Sequence, residues 1–193
     1  MATAAPPRPP VFNLPNQLTA ARFVLAIVLF VLIEFHLWIL SVVVFAVAAL
    51  TDWLDGYLAR KLNLGSTLGR NLDPLVDKVL VCGAYIFLQD VPNSGIVAWM
   101  VTVVVARELI ITGLRSFMEN LGANFGADWL GKIKMVLQCA ALLAIFYFLA
   151  QPDATLGVIR DILIYAMLVA TTLSGLQYLW RAALFLRADE RKD

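Results

Sequence analysis

Apolar residues run through this chain in six long blocks, at about 18–33, 37–50, 72–88, 96–117, 134–149 and 156–180. Each approaches the ~20 residues that carry a helix across a bilayer. Lipid cannot satisfy the backbone of an open strand, so blocks of this kind predict helices. Three breaks between them are short turns, at 34–36, 90–94 and 151–155, while the connections at 59–71 and 118–131 are longer and more polar. The pattern predicts an all-α, polytopic membrane protein with six transmembrane helices. The start, MATAAPPRPP, is proline-rich and has no signal-peptide pattern, so residues 1–11 are expected to be a disordered tail. Residues 188–193 form a second polar tail, which leaves 12–187 as one membrane domain without internal repeats.

Composition strengthens this picture. Sixty-one per cent of the 193 residues are hydrophobic and 15% are charged, where a soluble domain carries about a quarter charged. Mean hydropathy is +0.81, more apolar surface than one water-soluble core could hide, so lipid has to be part of the solvent. A net charge of +1 excludes a strongly basic protein, and with it a nucleic-acid partner. Cys82 and Cys139 both lie within apolar runs, where they serve as small buried filler or pair as a disulfide. His36 falls in an outer turn beside Trp38 and reads as interfacial rather than as a ligand.

The distribution of charge adds an orientation. Fourteen basic residues, among them Arg22, Arg60, Lys61, Arg70, Lys78, Arg107, Arg115, Lys132, Lys134 and Arg181, fall at or nearer one set of helix ends, and Arg160 lies near the other. Such an excess marks the cytoplasmic face, which puts both termini inside. Asp52, Asp55, Asp73, Asp77, Arg107, Glu108 and Arg115 all occupy the cytoplasmic halves of their spans. Ionisable groups at that depth are expensive and mark a wet cavity with a function.

The acids have a telling spacing. Asp52 and Asp55 are three apart, and Asp73 and Asp77 are four apart, so each pair shares a helix face. Pro74 is tolerated there if it falls in a first helical turn. Two antiparallel helices joined by a short loop bring the pairs together, and four close carboxylates repel unless cations neutralise them. All-oxygen ligation selects hard ions such as magnesium or manganese, and two metals about 4 Å apart can clamp a phosphoryl transfer. Gly56 allows close approach of a ligand or helix, Arg60 can fork onto a phosphate, and Ser66 and Gly69 add a hydroxyl and another point of approach. Acids that merely cap two helices would not need these positions.

The run Asp52-x2-Asp55-Gly56-x2-Ala59-Arg60-x8-Gly69-x3-Asp73-x3-Asp77, eight fixed residues over twenty-six positions, resembles the signature of the CDP-alcohol phosphotransferase family. That resemblance implies six transmembrane helices in a homodimer and a signature holding two divalent metals and the CDP group. It would give Asp52, Asp55 and Asp73 to one metal and Asp52, Asp73 and Asp77 to the other. Gly56, Ala59, Arg60, Ser66 and Gly69 would line the nucleotide. Asn16, Thr19 and Arg22 lie within about 120° of arc at the start of the first span. By themselves they fit an ordinary polar helix entrance equally well. A similar series lies beside the nucleotide in family members.

The fourth span bears on the acceptor. Glu108, Thr112 and Arg115 form an i, i+4, i+7 stripe with Arg107 beside it, and Lys132 and Lys134 open the fifth span. On a helix the two lysines point about 200° apart, so either one could enter the cavity. Arginine and lysine beside metals suit a phosphorylated acceptor better than choline or ethanolamine; plain positive-inside anchoring competes with that reading for each lysine. The segments AREL-x5-R and GK-x-K, followed by Gln138, resemble the phosphatidylglycerophosphate synthase branch of the family, with Met135 standing where that branch often has threonine. The expected reaction is therefore attack of glycerol 3-phosphate on CDP-diacylglycerol at the inner (plasma) membrane, with Asp77 as the base. Arg107, Thr112, Arg115, Lys132 and Lys134 would bind the acceptor. A sister enzyme acting on inositol phosphate or another alcohol is the nearest rival. A divalent-cation transporter would need acids along both halves of the membrane, and the outer halves offer only Asp161 beside Arg160.

Overall fold

The computed structural model describes the backbone of residues 14–62, 67–121 and 129–189, and the side chains of 17–51, 75–119, 121, 129–185 and 187. Both expected tails fall outside the described residues, apart from the helical backbone of 188 and 189. Six helices and no strand make up the described residues: α1 (Leu14–Glu34), α2 (Trp38–Leu62), α3 (Thr67–Leu88), α4 (Ala98–Asn120), α5 (Trp129–Ala150) and α6 (Ala154–Asp189). The windows Gln17–Glu34, Trp129–Ala150 and Ala154–Phe185 are long and apolar enough to cross a membrane, and Trp38–Thr51 is a shorter apolar stretch.

The helices outrun the apolar blocks that announce them. Helix α2 continues to Leu62 and α3 begins at Thr67, so most of the expected 59–71 connection is helical. At the other polar connection, α4 reaches Asn120 and α5 starts at Trp129. Hydropathy reports where lipid ends, whereas helical hydrogen bonds continue for as long as the backbone geometry holds. The 36 residues of α6 span about 54 Å at 1.5 Å per residue, well beyond a hydrocarbon core of ~30 Å. The early start of α3 also corrects the expectation for Pro74. It lies two turns inside the helix rather than in its first turn, where a missing N–H removes one i→i−4 bond.

Capping explains where α1 stops and where α6 starts. After α1, Leu37 N donates to Leu32 O at 2.9 Å and His36 N to Ile33 O at 3.0 Å, with His36 left-handed at φ 57°. These two bonds are the Schellman arrangement, so His36 terminates a helix, its ring edge-on to Trp38 at 5.2 Å. Asp153 caps α6, with Oδ2 accepting from the amides of Thr155 (2.8 Å) and Leu156 (3.3 Å). Those amide donors hold its carboxyl below the usual carboxylate value.

Packing follows stripes spaced three and four residues apart. On α1 the buried positions are Thr19, Arg22, Ala26, Leu29 and Ile33, while Phe23, Val24, Ile27 and Val31 are exposed on the other side. An apolar face of that extent fits lipid rather than water. Helix α1 packs on α2 and α3, α5 on α6 and α2, and α4 on α6 and α3. The α1–α3 approach is close. A Cβ on Gly83 would lie 2.2 Å from Phe30 Cζ, and Phe30 stacks on Phe87 with ring centroids 5.1 Å apart. Cys82 and Cys139 are half-buried and not joined in a disulfide, so filler is the outcome.

Candidate active site

Each buried stripe changes character along its helix, and the changes coincide in space. On α1 the polar members Thr19 and Arg22 precede Ala26, Leu29 and Ile33; on α5, Lys134 and Gln138 precede Ala141, Leu142 and Ile145. On α4 the order reverses, Met100, Val101 and Val104 coming before Glu108, and on α6 Ile164, Met167 and Leu168 come before Thr171, Ser174 and Tyr178. Bonds between these helices show that the polar ends meet. Burying them together is tolerable only if they satisfy one another.

The α1–α3 part of the site is built on an ion pair. Arg22 Nη1 donates to Asp77 Oδ1 at 2.6 Å, with Arg22 1% exposed and the Asp77 side chain 26% exposed. Two predicted site residues, fifty-five positions apart, are thereby in direct contact, and Thr19 is buried on the same face of α1 as Arg22. Asp52, Asp55, Gly56, Ala59 and Arg60 lie on the last turns of α2, with Gly69 and Asp73 on α3 and Asn16 in the first turn of α1. Their side chains, and Ser66 altogether, lie outside the described residues. In donor chemistry the four aspartates fit a hard divalent ion, since carboxylate oxygens are the only ligands they offer.

The second part joins α4, α5 and α6. Glu108 is buried and accepts from Lys134 Nζ, from Arg107 Nη1 at 3.2 Å and from Gln138 Nε2 at 3.5 Å. Arg107 Nη2 also donates to Ser174 Oγ at 2.5 Å. Arg115 donates to the Tyr178 hydroxyl, and its guanidinium lies 5.3 Å from the centre of that ring. Tyr85 on α3 donates to the Gln138 carbonyl at 3.0 Å, tying α5 to the aspartate helix. Lys78, the residue after Asp77, is half-buried, within electrostatic reach of Glu108 and Arg115 as well as Asp77.

These contacts resolve what spacing left open. Lys134 is 6% exposed and paired, whereas Lys132 is exposed. Thr112 shares the stripe of Glu108 and Arg115 in sequence, yet it is exposed and its hydroxyl donates back to the Glu108 carbonyl at 2.6 Å, a common use of a mid-helix threonine. Sequence reasoning missed Lys78, Ser174 and Tyr178 as members of the site, and named Glu108 and Gln138 without giving them a role. Gln138 is four residues beyond Lys134, which could have flagged it. Nothing in the sequence sets Ser174 and Tyr178 apart from other small or aromatic residues on a long helix.

The opposite end of the bundle differs. A cavity of about 330 Å³ opens there between His36, Trp38, Pro92, Asn93, Phe148 and Pro152. Its lining contains no carboxylate, so it is not where the chemistry of the aspartates resides.

Residues 12–185 match the family model for CDP-alcohol phosphatidyltransferase. The chain is 35% identical over 182 residues to the CDP-diacylglycerol–glycerol-3-phosphate 3-phosphatidyltransferase of Bacillus subtilis (strain 168), covering 86% of this chain and 93% of that protein. Proteins of the same name are similar in Salmonella choleraesuis (strain SC-B67), 36% over 175 residues (87% of this chain, 93% of the relative), and in Shigella flexneri serotype 5b (strain 8401), 38% over 185 residues (92% and 97%).

Proposed function

The chain belongs to the CDP-alcohol phosphatidyltransferase family, and from that premise we propose that it transfers the phosphatidyl group of CDP-diacylglycerol to glycerol 3-phosphate. The products are phosphatidylglycerophosphate and CMP. The observation that carries this reading is the meeting of two polar assemblies at one end of the bundle, Asp77 with Arg22 and Glu108 with Lys134 and Arg107.

In this account the 1-hydroxyl of glycerol 3-phosphate attacks the phosphorus that bears diacylglycerol. A new P–O bond forms there as the bond to the CMP phosphate breaks. Asp77 accepts the hydroxyl proton, and Arg22 keeps its carboxylate aimed. Asn16, Thr19, Gly56, Ala59, Arg60, Ser66 and Gly69 receive the nucleotide. Asp52, Asp55, Asp73 and Asp77 would hold two magnesium or manganese ions, which when bound neutralise charge on the phosphates and the leaving group. Arg107, Arg115 and Lys134 receive the acceptor phosphate as cations fixed before it arrives, with Lys132 at the exposed rim and Thr112 on the flank of α4.

We place six spans in the membrane, with residues 12–187 as the membrane domain and both termini cytoplasmic. The active site then faces the cytoplasm at the inner leaflet of the plasma membrane, in a homodimer. The basic residues support that orientation. Inositol phosphate is the second acceptor considered, since the cationic network favours a phosphate without specifying the polyol.

Metal removal tests the proposal. Turnover, read as CMP release with phosphatidylglycerophosphate identified by mass, is expected to vanish in excess chelator and to return with magnesium or manganese. Calcium is expected to restore far less, because its longer, irregular coordination does not fix an in-line geometry. Full activity in chelator would contradict the role given to the aspartates.

A further inference from the structure

The two α4 arginines do not stand by themselves; both are seated on α6. Ser174 is fully buried and its hydroxyl accepts from Arg107 Nη2 at 2.5 Å. The next residue, Gly175, has no Cβ where one would lie 3.2 Å from Arg107 Cγ, so the arginine stem runs over bare backbone. One turn further on, Tyr178 is 4% exposed, accepts from Arg115 and presents its ring to the same guanidinium. Hydroxyl, gap and phenol thus fall on one face of α6 at i, i+1 and i+4. They meet Arg107 and Arg115, two helical turns apart on α4.

The seating restrains each guanidinium and leaves donors over. Arg107 spends one Nη on Glu108 and the other on Ser174, Arg115 spends one Nη on Tyr178, and the buried Nε of both has no acceptor among the described residues. A guanidinium carries five N–H donors, and these bonds use two on Arg107 and one on Arg115, so restrained arginines with donors left over form a receptor for an oxyanion. An unrestrained arginine would have to lose side-chain freedom on binding, and the α6 contacts remove that cost beforehand.

We propose that Ser174, Gly175 and Tyr178 of α6 are positioning residues that fix Arg107 and Arg115 as a two-pronged receptor for the phosphate of a phosphorylated polyol, so that α6 sets acceptor specificity. The inference rests on the reading of the α4 arginines as the acceptor site, and the experiment separates the two. Full-length Ser174→Ala and Tyr178→Phe are assayed in mixed micelles against glycerol 3-phosphate and, separately, CDP-diacylglycerol. Each is expected to raise the KM for glycerol 3-phosphate about three- to tenfold, less than loss of a direct hydrogen bond to a charged group would cost, because the arginine itself remains. The maximal rate and the KM for CDP-diacylglycerol are expected to stay within about twofold, because neither residue touches the reacting atoms. Ser174→Thr, which keeps the hydroxyl, is expected to restore the wild-type KM. A structural role alone would lower the rate and the thermal midpoint without splitting the two KM values.

Three outcomes overturn the proposal in different ways. If Arg107→Ala and Arg115→Ala raise the glycerol 3-phosphate KM while Ser174→Ala and Tyr178→Phe do not, the acceptor site stands and the α6 seat is wrong. If the arginine variants also leave that KM unchanged, the acceptor site itself is misplaced. Equal rises in both KM values for the α6 variants, with no rescue by threonine, likewise reject the seat.

Discussion

Arg107–Glu108 on α4 and Arg160–Asp161 on α6 have the same chemistry, a guanidinium followed directly by a carboxylate, at opposite ends of one bundle. At the first, both side chains are buried, at 11% and 8% exposed, and the acid gathers Lys134 and Gln138 from α5 while the arginine reaches Ser174 on α6. At the second, Asp161 is 51% exposed. There Arg160 holds its own neighbour at 2.8 Å, the Asn93 carbonyl at 2.5 Å and the face of Phe148 at 4.2 Å. One pair is the centre of a network across three helices; the other ties a turn to a helix start. Depth and partners, not residue type, decide which charges in a membrane bundle are candidates for chemistry.

The largest contrast expected is in turnover. Asp77→Asn should lower the rate of CMP release by about 10²–10⁴-fold, as loss of a general base does, with the protein still folded. Asp161→Asn should leave the rate unchanged. Retention of more than about a tenth of wild-type activity by Asp77→Asn would remove that residue from the role of base.

Stability should separate the two arginine–acid pairs next. Glu108→Ala leaves Lys134 and Arg107 buried without their carboxylate, which typically costs about 3–5 kcal/mol. Asp161→Ala removes a half-exposed partner, worth about 0–1 kcal/mol. Unfolding of both variants in the same detergent measures the gap, and equal losses would mean that the α4 network is no more than a surface pair.

Substrate dependence sharpens the contrast further. Arg115→Ala is expected to raise the KM for glycerol 3-phosphate by about tenfold or more, from about 1.5–3 kcal/mol per hydrogen bond to a charged group, with little change for CDP-diacylglycerol. Arg60→Ala should show the opposite selectivity, and Arg160→Ala should alter neither KM. The smallest effect belongs to Lys132→Ala, below about threefold on any kinetic constant, because an exposed lysine is screened by solvent and salt.

The helical architecture was legible because membrane blocks announce themselves by hydropathy; of the four aspartates, the side chain of Asp77 is among the described residues, and it pairs with Arg22. Helix ends were less so. The polar stretch 59–71 reads as a loop, yet α2 carries on to Leu62 and α3 starts at Thr67, since nothing in hydropathy marks a helix that leaves lipid. Lys132 and Lys134 could not be ranked from spacing; a carboxylate at Glu108, twenty-six residues away, does that by pairing with Lys134. Ser174 and Tyr178 stayed hidden for a similar reason, since only packing of α6 on α4 brings them under arginines more than sixty residues earlier.

The identity of the acceptor is the most direct test of the whole account. Purified protein with CDP-diacylglycerol and magnesium is offered glycerol 3-phosphate, inositol phosphate, glycerol, serine and choline in turn, and CMP release is followed for each. The account predicts rapid release with glycerol 3-phosphate and rates lower by about tenfold or more with acceptors lacking a phosphate, since these leave the cationic network unpaired. Faster release with inositol phosphate would transfer the protein to a sister activity, and equal rates with serine, choline or glycerol would contradict the phosphate receptor built by α4, α5 and α6.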